Sequence, residues 1–177
     1  MMATDEEAYK VFGDLFQPII GDIHQEYDSR FAYKFDELKS SLVEDHLSRM
    51  QACAAAISDF KLTAQRNFKG TPFTPLMTKE AKLQVERKVV EVLGSLYGNY
   101  TQVQKLDDSD RDWLTSLGLD PDNKNKEFQA GGINDDWPVG RGVFIQEQRN
   151  FVILVNFEEH IKIVVLKDKT EQTDNFY

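Results

Sequence analysis

Asp136–Lys167, DWPVGRGVFIQEQRNFVILVNFEEHIKIVVLK, is the stretch whose reading decides the fold. An apolar run at Gly142–Ile145 is followed by a polar turn at Gln146–Asn150. Phe151–Val155 comes next, apolar throughout, then Asn156-Phe-Glu-Glu-His160 interrupts and Ile161–Leu166 closes the stretch. Short runs rich in Val, Ile and Phe between polar punctuation are strand patterns. Strands are therefore expected at these runs, the first two joined as a hairpin through Gln146–Asn150. Phe151–Val155 does not alternate with polar residues, which predicts a strand covered on both faces.

Upstream, the pattern turns helical. Thr78–Leu96 carries Ala81, Val85, Val89, Val92 and Leu96 on one stripe, with Leu83, Val90 and Leu93 beside it. So broad a stripe predicts a helix packed on a sheet. Thr78 is the expected N-cap, and Gly94 and Gly98 mark the end. Tyr100–Leu106 reads as a strand, Asp107 and Ser109 open a short helix to about Leu117, and Gly118–Asn134 reads as a polar loop. Residues 5–27 form an amphipathic pattern through Val11, Leu15, Ile19 and Ile23, which Pro18 should kink or divide near Gln17. Residues 30–57 repeat the helical spacing through Phe31, Phe35, Leu38, Leu42, Leu47, Met50, Ala54 and Ile57. The tail after Leu166, KDKTEQTDNFY, is polar. The expected organisation is a helical region over 1–57, a sheet-bearing domain over 58–167 and a polar tail over 168–177.

The 177 residues suit one domain with a small appendage. A net charge of −9 argues against nucleic acid, whose phosphates call for a basic face. No apolar stretch reaches the ~20 residues of a membrane span. The opening MMATDEEAYK is acidic, unlike a signal peptide, so a cytoplasmic setting is expected. The single cysteine, Cys53, excludes an internal disulfide and reads as a small buried residue. Asn99-Tyr-Thr101 fits a glycosylation sequon, a chance match in that setting. Asp107, Asp108, Asp110 and Asp112, like Asp120 and Asp122, lack the glycine and closing glutamate of a calcium loop. The first group suits a helix N-terminus. His24 and His46 lie on expected helices without a second ligand at metal spacing, so no metal site is expected.

Trp137-Pro-Val-Gly-Arg-Gly142, the hairpin, and Asn156-Phe-Glu-Glu-His-Ile-Lys162 together resemble the phosphagen (guanidino) kinases, the arginine and creatine kinase family. Their pattern here is close to WPxGRGIxHNxxKTFLVWxNEEDHLRIIS, and the spacing matches without a gap. YKVFGDLFQPII near the N-terminus resembles the YKVFADLFDPVI of many arginine kinases. SDFKLTAQRNFKGTPFTP (58–75) resembles the STRVRCGRSxQGYPFNP of their first catalytic strand and loop, and Lys126–Ala130 resembles RFLQAAN. The resemblance implies an α+β fold. A small helical N-terminal region would precede an incomplete, glutamine-synthetase-like antiparallel sheet with flanking helices.

What the resemblance implies for chemistry is a depleted site. Phosphoryl transfer to a guanidinium rests on positioning and charge, with arginines clamping the phosphates and a carboxylate orienting the nucleophile. Of the two strand arginines, one is Lys61 and the other is Thr63, which is neutral. The arginine ending NEEDHLR is Lys162, which keeps charge but loses the bidentate fork. Arg66 is retained, the adenine-side histidine falls near Leu119, and the guanidinium-contacting carboxylate falls on Glu158, with Phe157 in place of its acidic neighbour. The bland alternative for Glu158 is a solvated carboxylate at a strand end. His160, Trp137 and Arg141 read as fold elements. The family would continue for about another hundred residues, so a truncated, degenerate member is expected. The expected role is non-catalytic: a pseudoenzyme acting as a structural or interaction subunit. It would pair with other subunits, or with itself through the incomplete sheet, in a cytoskeletal or ciliary assembly by analogy with the family's settings. The alternatives are a nucleotide or guanidino-compound sensor using Lys61, Arg66, Glu158 and Lys162, or a phosphotransferase completed in trans. Only these two would take ATP or ADP with Mg as cofactor.

Overall fold

A computed structural model of the chain describes residues 2–23 and 59–168. The described residues fall into two units, one of residues 2–9 with 61–166, the other holding residues 10–23, 59–60 and 167–168. The expected helix over 30–57, with His46 and Cys53, lies outside the described residues, as does His24.

The N-terminal pattern becomes two helices, α1 (Ala8–Val11) and α2 (Gly13–Ile23). The break does not fall at Gln17. Pro18 sits inside α2, which tolerates the loss of one backbone donor, and the chain turns instead at Phe12, beside the permissive Gly13. Along these helices Val11, Phe12, Leu15, Ile19 and Ile23 are exposed.

The other unit is built on a sheet. Its strands are β1 (Asp59–Arg66), β2 (Gly98–Gln102), β3 (Gly142–Gln146), β4 (Phe151–Val155) and β5 (Ile161–Asp168), in the order β1-β5-β4-β3-β2. β2 pairs antiparallel with β3, β3 with β4 and β4 with β5. Val143 and Lys162 flank Leu154 in register, while Phe144 and Ile163 flank Ile153. Alternation therefore splits β4 between two cores. Val152 and Leu154 join Val103, Leu106, Leu114, Leu119, Val143, Phe157 and Val164 on one face. Ile153 and Val155 join Met77, Val85, Val89, Leu93 and Phe144 on the other. Val152–Val155 are all buried, as the unbroken apolar run required.

The second face is covered by α3 (Lys79–Leu93), whose Thr78 hydroxyl accepts the Ala81 amide at 3.2 Å. The helix stops at the Gly94 cap, three residues short of Leu96. Its buried stripe is Lys82, Val85, Glu86, Val89 and Leu93 rather than the all-apolar set; Val92 is 68% and Leu96 45% exposed. The real stripe is rotated towards Lys82 and Glu86 because both find partners across the core. Tyr100 donates to Glu86 at 2.8 Å and Gln102 at 3.1 Å, tying β2 to α3. Burial is the main reason, ahead of the Glu86 carboxylate, that the Tyr100 hydroxyl holds its proton beyond its usual range. Gly142 is required opposite, since a Cβ there would collide with the Tyr100 ring and hydroxyl.

The expected Tyr100–Leu106 strand is shorter. β2 ends at Gln102 and the chain tightens into a 3₁₀ turn, Val103–Lys105, that buries Val103. α4 (Asp108–Ser116) follows, its Asp107 carboxylate capping the Asp110 amide at 2.7 Å. The polar loop beyond it contains one short helix, α5 (Lys126–Ala130), capped by Asn125. Among the described residues, no helix is long and apolar enough to cross a membrane.

Candidate functional site

The site region begins where β4 ends. Asn156 adopts φ 56°, a left-handed conformation that asparagine tolerates well. Its side-chain amide donates to the Lys82 carbonyl at 2.9 Å and the Gly140 carbonyl at 2.7 Å. Arg141, fully buried, donates through Nε to the Asn156 carbonyl at 2.7 Å. Its two terminal nitrogens reach the carbonyls of Ile133, Asp135 and Val139. The guanidinium also lies over the Trp137 ring at 4.7 Å. Lys82, equally buried, donates to the Asp135 carbonyl at 2.7 Å and pairs with Asp136 at 3.3 Å. Burial pulls the Arg141 guanidinium down to about 10, against the carboxylates of Asp136 and Asp135. Burial, and next the charge of Arg141, lower Lys82 as well. These groups hold the Trp137–Gly142 segment to α3 and to the β4 terminus. Trp137 and Arg141 are thus fold elements, and the cations face carbonyls rather than an open site.

The residues that the resemblance singles out lie at the other side of the same turn. Lys162 Nζ reaches Glu158 Oε2 at 2.7 Å, with the lysine side chain 15% and the glutamate side chain 30% exposed. Gln65 Nε2 donates to the same oxygen at 3.1 Å. Glu158 is therefore an ion-paired, hydrogen-bonded carboxylate and not simply a solvated one. Lys61, exposed on β1, donates to the Leu117 carbonyl at 2.7 Å, at the C-terminus of α4. Thr63, exposed, lies between Lys61 and Gln65 on the same face of β1. Arg66 is exposed and donates to the Gln65 carbonyl at 2.6 Å. Leu119, where the adenine-side histidine would stand, is buried in the core. The structure thus joins Glu158 with Lys162, and engages Lys61 elsewhere.

His160 is fully buried at the end of the turn. Its Nδ1 accepts the Phe68 amide at 2.9 Å and its Nε2 lies 2.8 Å from the Pro72 carbonyl. Since an amide can only donate, Nδ1 is unprotonated and Nε2–H donates to Pro72. The ring stacks on Phe68 with centroids 5.9 Å apart. The Asn67 side chain accepts the His160 amide at 2.9 Å and donates to Glu159.

Gln65, Lys82 and Glu86 escaped sequence reasoning. Gln65 carried a usable signal, because it stands where the STRVRCGRS pattern has glycine and adds an amide able to reach across the sheet. Lys82 and Glu86 carried none, since polar residues at helical spacing ordinarily mark a solvated face. Among the described residues no group of three or more His, Cys, Asp or Glu gathers as a metal site would.

An antiparallel sheet with helices on its faces, closed by the WPxGRG segment and the NxEEH turn, defines a phosphagen-kinase-type catalytic-domain fold. Residues 80–176 match the family model of the ATP:guanido phosphotransferase C-terminal catalytic domain, so the chain belongs to that family. It is 30% identical over 169 residues to an arginine kinase of Anthopleura japonica, covering 93% of this chain and 23% of that protein. An arginine kinase of Stichopus japonicus is 28% identical over 172 residues, with 94% and 45% covered. The substrate-free duplicated taurocyamine kinase from Schistosoma mansoni superposes with a TM-score of 0.75 at 28% identity, over 94% of this chain and 24% of that one. The chain spans less than half the length of these relatives.

Proposed function

We propose that this chain is a non-catalytic relative of the phosphagen kinases, a pseudoenzyme serving as an interaction subunit, with other subunits or a second copy as its partner. One observation carries the reading. At the three positions where the resemblance places clamp arginines, Thr63 is neutral, while Lys61 and Lys162 are engaged by Leu117 and Glu158 at 2.7 Å each. A phosphate would have to displace both contacts, and it would meet ammonium groups without the bidentate fork of arginine. Gln65 on Glu158 further occupies the carboxylate that would otherwise face a guanidinium.

A sensor reading is favoured by the partial exposure of Glu158, which leaves that carboxylate accessible to a cationic ligand. In that reading Lys61, Arg66, Glu158 and Lys162 bind Mg-nucleotide or a guanidino compound without turnover. The phosphotransferase reading adds a complementing chain, with a cytoplasmic assembly as the setting in either case.

Calorimetric titration of the purified chain with Mg·ADP, with and without arginine, tests these readings. The interaction-subunit reading predicts no heat up to millimolar nucleotide. Saturable binding abolished by Lys61→Ala would overturn it in favour of the sensor, and a coupled phosphotransfer assay with added partner chains then addresses turnover.

A further inference from the structure

We propose that the turn after β4 and the loop after β1 form a proton-operated clasp, with His160 as the positioning residue that opens it in acid. The clasp is built from both sides. Loop residues contribute the Asn67 side chain, the Phe68 amide and ring, and the Pro72 carbonyl. The turn contributes Glu159 and both the backbone amide and imidazole of His160.

The logic lies in the tautomer. Nδ1 can accept the Phe68 amide only while it carries no proton. A second proton on the ring turns that nitrogen into a donor facing a donor, and the bond becomes a repulsion. The ring has no exposed edge on which to carry the new charge, because it is fully buried. Glu159, the neighbouring carboxylate, favours the charged ring. The same turn and strand also carry the Glu158–Lys162 ion pair, while β1 ends on the cation Arg66 and the loop after it carries Lys69. Burial outweighs the pull of Pro72 and Glu159 and holds the imidazole below its ordinary 6.5. In the open loop the ring returns to that ordinary value. Proton binding therefore favours opening, and the clasp is closed at neutral pH and loosens as pH falls below the ordinary histidine range. Opening releases the segment between Arg66 and Thr74, which is hydrogen-bonded to the N-terminal residues through Phe73 and Thr4 at 2.8 Å.

The experiment is amide hydrogen exchange by NMR on the whole chain, corrected for intrinsic exchange, from about pH 7.5 to about pH 5. Phe68 should lose protection by about tenfold per pH unit once the open ring begins to titrate, while the core amide of Val164 keeps its protection. His160→Gln, which supplies a donor and an acceptor but no titration, should remove the slope. Glu159→Gln keeps an acceptor for Asn67 and should move the onset of Nδ1 protonation to lower pH. Where a variant does not fold, the unmodified chain still decides the matter. The ¹⁵N shift of His160 Nδ1 must then show a ring still unprotonated in the closed chain where Phe68 begins to lose protection, with protonation only where that loss levels off. Flat Phe68 protection between the ordinary histidine value and the pH at which Nδ1 of the closed ring titrates, or a slope that survives in folded His160→Gln, would overturn the clasp.

Discussion

Lys82 and Lys162 are both lysines paired with a carboxylate, yet the two regions they anchor behave as opposites. The Lys82 and Arg141 cations are fully buried and are met mainly by backbone carbonyls of the Ile133–Val139 segment. Around Lys162 the pair is partly solvated, and its neighbour is the Gln65 side chain from β1. A buried cation that loses its partners cannot retreat to water, so the first region is committed to the fold. A pair that keeps some contact with water can exchange its partners at lower cost, so the second region is less tightly committed to the fold. Resemblance by sequence weights the two regions alike; burial distinguishes them.

The sharpest way to break this comparison is Arg141→Met. It removes a guanidinium bonded to four carbonyls and leaves those acceptors buried. The expected loss is about 3–5 kcal/mol in urea unfolding. Gly140→Ala strikes the same region through the backbone. Gly140 has φ 68°, and a Cβ there would stand 2.8 Å from the Lys82 backbone carbon. Roughly 2–4 kcal/mol should be lost, read as a lower thermal midpoint. Tyr100→Phe leaves Glu86 with Gln102 alone and should cost about 1.5–3 kcal/mol by denaturant titration. Lys162→Ala should cost no more than about 1 kcal/mol and should lose what effect it has at high salt. A Lys162→Ala penalty as large as that of Arg141→Met would erase the distinction between the regions.

Much of the sheet was legible. Gly142–Ile145, Phe151–Val155 and Ile161–Leu166 became β3, β4 and most of β5, because runs of β-branched and aromatic residues between polar turns leave the chain few other ways to bury them. Caps were legible too: Thr78 and Asp107 act within one helical turn of their partners. Pro18 misled, since a helix can absorb one missing donor. Val92 and Leu96 misled for a different reason. Apolar periodicity locates a stripe only where the covering surface is apolar, and here β2 and the Asp135–Asp136 turn offer polar partners instead.

The candidate positions were found by motif, and their surroundings were not. Nothing in the order of residues says that Lys61 meets Leu117, 56 positions away, or that Gln65 and Glu158, 93 apart, share a hydrogen bond. The sequence by itself determined which segments would be strands and helices and to which family they belong, because periodicity, caps and motif spacing are local properties. Only the tertiary structure decided which charges are buried, which are paired and which imidazole nitrogen bears the proton. Those outcomes depend on desolvation and on partners that no local pattern encodes.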